Sequence, residues 1–219
     1  TGVGSEDPCI IPPEAKYRGA ENQLYRVEIH SGGSAGTATF KWSRDNGSVT
    51  FAVRNIAPDS TTGTTMITIE HLGRDSRFSL QIGDWVEIVD DAYVLQGRAE
   101  RLLKVISVDR ATMQLTLDGI PDSQVGQDPE LHSLLRRWDQ EATKEIELME
   151  GVVPLDEDGW LDLEDRIQIE FEANGYYSTG DYWLIPARTA LGDVLWPVDE
   201  ASGGPAYEER YGIDHHYCP

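Results

Sequence analysis

Apolar and polar side chains alternate with a period of two along most of this chain, the pattern of strands with one face in a core. LYRVEIH (24–30) sets Tyr25, Val27 and Ile29 against Leu24, Arg26, Glu28 and His30, and so predicts a half-buried strand. SGGSAG (31–36) interrupts it with turn-forming residues. TFKWSRDNGSVTFAV (39–53) reads as two strands folded around Asp45-Asn46-Gly47, because Asn and Gly tolerate the positive φ of a tight hairpin. Trp42 then packs in the core beneath that hairpin. TTMITIEHL (64–72) supplies another strand.

The middle of the chain is more compact. GDWVEIVDDAYVLQGRAERLLKVISVDRATMQLTLDG (83–119) offers a strand from Trp85 to Val89, then two more, 102–108 and 113–117, paired around Asp109-Arg110-Ala111-Thr112. Short strands at this spacing predict a small SH3-like or OB-like barrel over residues 80–120. It would sit between an N-terminal β segment (1–79) and a C-terminal one (121–219), which together complete a main sheet or sandwich-like body. Residues 121–143 have loop composition with a helical turn over 131–138. Strand patterning resumes in KEIELMEG (144–151), in WLDLEDRIQIEFEA (160–173) and in YYSTGDYWLIPAR (176–188), and 198–212 reads as a loop. In the second of these, Ile167, Ile169 and Phe171 alternate with Gln168, Glu170 and Glu172, which puts the acids on one solvent-facing side. The fold class expected is all-β.

With 219 residues, 39% of them hydrophobic, the chain can bury a sizeable core. Its net charge of −21 argues against nucleic acid or an anionic membrane surface as partner, since both reward clustered Lys and Arg. Residues 1–110 hold 12 basic and 15 acidic side chains, residues 111–219 hold 6 and 24, so the acidity lies in the second half. That half is either a solvated surface or an attraction for divalent cations or a basic partner. No apolar run approaches the roughly 20 residues of a membrane span, and the opening TGVGSEDPC lacks the features of a signal peptide.

YRGAENQLYRVEI, TFKWSRDNGSVTF, GDWVEIVDD, LLRRW, LEDRIQIEF and TGDYWLIPART occur in this order, and the resemblance they carry covers roughly residues 9–218. In them the chain resembles an uncharacterised bacterial domain family, whose members occur in large proteins near phage-tail-like contractile injection systems. The resemblance implies a β-rich domain in an extracellular or particle-associated setting. It brings no catalytic residues.

Several side chains are candidates for chemistry. Cys9 and Cys218 flank the recognisable domain, and a disulfide between them would pin the two tails together, contributing roughly 4 to 5 kcal/mol by loop closure. The competing reading is two reduced thiols. Asp214, His215 and His216 resemble the start of a metal site that His30, His71 or His132 could complete, but adjacent residues on a strand face opposite ways. The turn DEDGWLDLED (156–165) crowds Asp156, Asp158 and Asp162 with Glu164 and Asp165, and calcium takes several such oxygens. Its likeness to an EF-hand loop ends after Gly159, so an exposed acidic turn is the plainer reading.

Tyr176, Tyr177, Tyr182 and Trp183 form an aromatic run that could stack on sugar rings, though the same residues suit a β core. Glu164 and Glu170 could be read as a glycosidase pair only if a cleft brought them together. No phosphate-binding GxxxxGKS loop is present. The expectation is therefore a non-enzymatic structural or adaptor module of a phage-tail-like particle or cell-surface assembly, with other protein subunits as partners and no cofactor other than calcium. The alternative is a carbohydrate-binding or carbohydrate-processing domain with glycans as ligands.

Overall fold

A computed structural model describes residues 17–143, 146–157 and 159–212. From its start the chain runs through β1 (Gln23–Ser31) and the short β2 (Gly33–Ser34), then turns back as β3 (Thr39–Ser43) against β1. It next leaves this sheet for β4 (Thr50–Asp59), β5 (Thr64–Ile69) and β6 (Trp85–Val89), a one-turn helix α1 (Asp91–Leu95), β7 (Leu103–Asp109), β8 (Gln114–Asp118) and β9 (Leu134–Trp138). It returns through β10 (Val153–Pro154), β11 (Leu161–Asp162), β12 (Gln168–Ile169) and β13 (Tyr176–Tyr177) to β14 (Tyr182–Arg188) and β15 (Asp193–Val194). The fold is almost all β, as the alternation predicts.

Two β bodies result. A curled five-stranded sheet has the order β10-β3-β1-β14-β15, and a closed six-stranded barrel has the order β4-β5-β8-β7-β6-β9. The barrel draws β4 and β5 from before residue 80 and β9 from after residue 120, so its strands span residues 50–138 rather than the expected 80–120. The pairing of β7 with β8 across Asp109 to Thr112 is as expected.

The Asp-Asn-Gly turn is the sharpest departure. Asn46 and Gly47 do take positive φ, 56° and 64°, yet β3 and β4 do not pair across them. β3 pairs with β1 and β10, and β4 pairs with β5 and β9. The turn therefore carries the chain from sheet to barrel, held by Asn46 N–H donating to Leu24 O at 2.9 Å. The returning chain runs beside it: Asp139 N–H donates to Trp42 O at 2.9 Å, and Arg44 N–H donates to Asp139 Oδ2 at 2.9 Å.

Two other expectations fail locally. Leu131, Leu134, Leu135 and Trp138 fall at helical spacing, but only Pro129–Leu131 forms a 3-10 turn, and β9 follows as the strand that closes the barrel. Burial of Leu135 and Trp138 on opposite sides of the tertiary structure, one in the barrel core and one in the seam, outweighs the helical pattern. In 144–151, Ile146 to Glu150 forms no ladder beyond a bridge from Met149 to Val152; Lys144 and Glu145 lie outside the described residues.

Each body has its own core. Tyr25, Val27, Ile29, Phe40 and Trp42 fill the sheet's inner face under Ile167, Phe171 and Tyr177, and Phe51, Ile67, Val86, Val105, Leu115 and Leu135 fill the barrel. The other face of β1 was expected to meet solvent, but Glu28 and His30 are buried, because the barrel sits against it. In that seam Lys41 Nζ meets Glu87 Oε1 at 2.6 Å and Glu28 Oε1 at 3.4 Å, with Trp138, Leu102 and Val152 packed around them. Trp138 Nε1–H donates to Glu87 Oε2 at 2.8 Å, and Tyr93 O–H donates to Glu87 Oε1 at 3.1 Å.

Removing one partner of such a pair strands a buried charge. Lys41→Met should lower unfolding free energy by about 3–5 kcal/mol in urea titrations, and Lys41→Met with Glu87→Gln should lose less than the sum of the two singles. A Lys41→Met loss below about 1 kcal/mol would show that the seam does not depend on the pair.

Candidate functional site

The strongly perturbed ionisable groups of the seam face one another rather than an open cleft. Burial pushes the Glu87 carboxyl up, but Lys41 and His30 beside it outweigh burial and hold it near 2. His30 is depressed to about 4, first by burial and then by the Lys41 charge. Burial and the nearby Glu87 push the Tyr93 phenol well above its usual range. These groups are mutual partners, and the arrangement joins two bodies.

A second network binds the sheet's covering segment. Arg44 donates from Nε to Glu164 Oε1 and from Nη2 to Glu164 Oε2, each at 2.6 Å, while Tyr25 O–H donates to Glu164 Oε1 at 2.8 Å. Glu170 accepts from Tyr207 O–H at 3.4 Å. The structure thus gives Glu164 and Glu170 separate partners. Sequence reading could not foresee this, because Arg44 lies 120 residues from Glu164.

The four aromatic candidates divide. Tyr177 is buried against Phe171, and its hydroxyl donates to Glu172 O at 3.0 Å. Trp183 packs edge-on to Phe171 from the inner face of β14, and its indole N–H donates to Glu208 O. Tyr182, its neighbour, takes the opposite face, where its ring lies 3.5 Å from the Arg26 guanidinium and stacks on Tyr211 with centroids 5.5 Å apart. Tyr176 stands 82% exposed at β13. The platform sequence reading missed is therefore Tyr182 with Tyr211, whose proximity is set by the bridge between these two residues.

Of the metal candidates, Asp156 and Asp162 are exposed and Asp158 lies outside the described residues. Cys9, Cys218, Asp214, His215 and His216 also lie outside them. His30 is in the seam, His71 sits with its ring 5.8 Å from that of Phe51, and His132 lies at the far end of β9. Among the described residues no group of three or more His, Cys, Asp or Glu is arranged to hold a metal ion.

A cleft of about 280 Å³ opens on the barrel between Ala52–Ile56 of β4 and the segment 126–134. The pairing of β4 with β9 ends at Ala52 opposite Leu134, and Val53 N–H donates to Ser133 O at 3.0 Å as the last link. Beyond it the chain swings away through His132, held at φ 51°. Gly126 closes the cleft floor at φ 74°, a left-handed conformation that favours glycine, and a Cβ there would press on the Ile56 side chain. Arg54 and His132 are the charged side chains of its lining, and the Nδ1 of His132 is 2.7 Å from Asp91 Oδ2. The loop-like composition of 121–133 gave no signal of a cleft.

The depressed pKa of His30 makes a stability statement. Above about pH 6.5 the imidazole is neutral in both the folded and unfolded chain; between 6.5 and about 4 only the unfolded chain takes the proton, so stability falls with pH across that window. The full effect is about 3 kcal/mol. His30→Gln should flatten the difference in urea-unfolding free energy between pH 7 and pH 4.5, and an unchanged slope would show that His30 does not titrate this way.

Comparison with known proteins adds a family but no activity. No curated protein and no solved structure matches the chain. A family of unknown function, DUF6519, matches residues 2–218. Nearly the whole chain, sheet and barrel together, therefore belongs to the DUF6519 family.

Proposed function

We propose that this protein is a non-enzymatic structural module that docks and positions neighbouring subunits of a larger assembly, of the phage-tail-like or cell-surface kind suggested by the sequence resemblance. The observation that carries this reading is the seam. Lys41 of the sheet, beside Glu28, bonds Glu87 of the barrel, and Trp138 and Tyr93 hold that carboxylate in place, an arrangement that gives rigidity at the expense of reactive groups. Rigid β bodies with a fixed mutual orientation suit a spacer that transmits position. Negative-stain imaging of the parent particle with a label on this domain should place the label at one repeating position, and label found only on free protein would sink the reading.

One observation favours a second reading, carbohydrate binding. Tyr211 is 57% exposed and stacks on Tyr182 beside Arg26, a surface on which the apolar face of a sugar ring could rest. On a glycan array, binding that disappears in Tyr211→Ala would support it. An array silent for the intact chain would retire it.

A further inference from the structure

We infer that the cleft where β4 parts from β9 is a docking groove for an extended acidic segment of a partner protein, which adds a short strand to the free edge of β4 and sets a carboxylate between Arg54 and His132. The inference rests on the structural-module reading and names its docking surface.

The first support is the incomplete closure of the barrel. On one side β4 pairs with β5 as far as Asp59 opposite Thr64. On the other, pairing with β9 covers Thr50, Phe51 and Ala52 and ends with the Val53 bond to Ser133. Among the described residues, positions 55–59 therefore have a strand neighbour on one side alone, and an edge of this kind is a template for another chain.

That template is limited in length. A register shift between Val53 and Asn55 twists the strand, and Pro58 has no N–H to offer. Both features oppose open-ended sheet extension. They leave a short stretch, Arg54 to Ala57, next to a cleft that can take side chains from a docked segment.

The cleft wall is already fixed. Gly126 N–H donates to Asp90 Oδ2 and Tyr93 N–H donates to Asp90 Oδ1, both at 2.8 Å, while Ser133 O–H donates to Gly126 O at 3.0 Å. A wall ordered before binding lowers the entropy that association must overcome.

Charge selects the occupant. The chain carries a net −21, yet the cleft lining contains Arg54 and His132 and no carboxylate. The Arg54 Nε is 3.7 Å from Glu70, beyond a good hydrogen bond, and its side chain is 64% exposed. His132 has Asp91 on Nδ1, which favours its charged form and leaves the other ring nitrogen for a ligand. Glu70 and Asp91, which face these two cations, lie outside the cleft lining, and repulsion from carboxylates more than roughly 8 Å away is screened at physiological salt, so an acidic side chain entering the cleft meets Arg54 and His132 first.

The test uses the whole chain, labelled with nitrogen-15, and three capped pentapeptides: Thr-Val-Glu-Val-Thr, the same with Lys for Glu, and the acidic one N-methylated at alternate amides. The acidic peptide should shift amide signals of residues 52–57 and 126–134. Arg54→Glu should weaken it roughly tenfold or more, since a charge-assisted bond is worth about 1.5–3 kcal/mol. Equal binding of the lysine peptide would overturn the charge argument, equal binding of the N-methylated peptide would overturn strand addition, and absent shifts or shifts elsewhere would overturn the site. A labelled particle without peptide binding removes this inference and leaves the module reading. Peptide binding by a domain that labels no particle does the reverse.

Discussion

Burial of a lysine and a glutamate between two β bodies is the constraint around which the molecule is arranged. Lys41 belongs to the sheet and Glu87 to the barrel, and each has a side chain only 4% exposed. Neither can be left without the other, because an unpaired charge in such a place costs several kcal/mol. The pair also acts directionally. Apolar packing of Leu102, Trp138 and Val152 alone would tolerate sliding, whereas the Lys41 bond crosses from sheet to barrel and ends on a carboxylate that Trp138 and Tyr93 hold in place within the barrel.

The same constraint organises the chain path. The strands of the barrel lie between β3 and β10 in sequence, so the chain must leave and rejoin the sheet at one place. Asp139 makes that possible: its backbone N–H bonds Trp42 O on the sheet, its carboxylate takes the Arg44 N–H on the outgoing turn, and Arg137 Nε is 3.1 Å away on the returning strand. With both connections tied at one residue, the seam has little freedom left to absorb.

What was legible in the sequence follows from range. Tyr25, Val27 and Ile29 announced a strand because alternation is a local property, and Asn46-Gly47 announced positive φ for the same reason. Partner choice is not local. The burial of Glu28 and His30 depends on a barrel whose contact residue, Glu87, lies dozens of positions away, and the helical spacing of Leu131 to Trp138 gave way to the need for a sixth strand. Of the aromatic run, Tyr177 on β13 and Trp183 on β14 became core-facing through the alternation of their own strands, while Tyr182 gained a stacking partner only when Tyr211 bridged to it.

β9 joins the fixed and the open parts of the molecule. Its Trp138 end is held in the seam by Glu87, and its Leu134 end is where pairing with β4 stops. A strand of five residues cannot match the full length of the ten-residue β4, so closure at the seam leaves β4 unmatched at the opposite end. The segment 126–133 could have filled that gap by pairing onward, but Gly126 is bound to Asp90 and the backbone reverses at His132, which draws the segment toward α1 instead. The cleft is therefore a consequence of strand lengths and of where Asp90 pins the loop, and it remains in place for as long as the seam holds β9 in register.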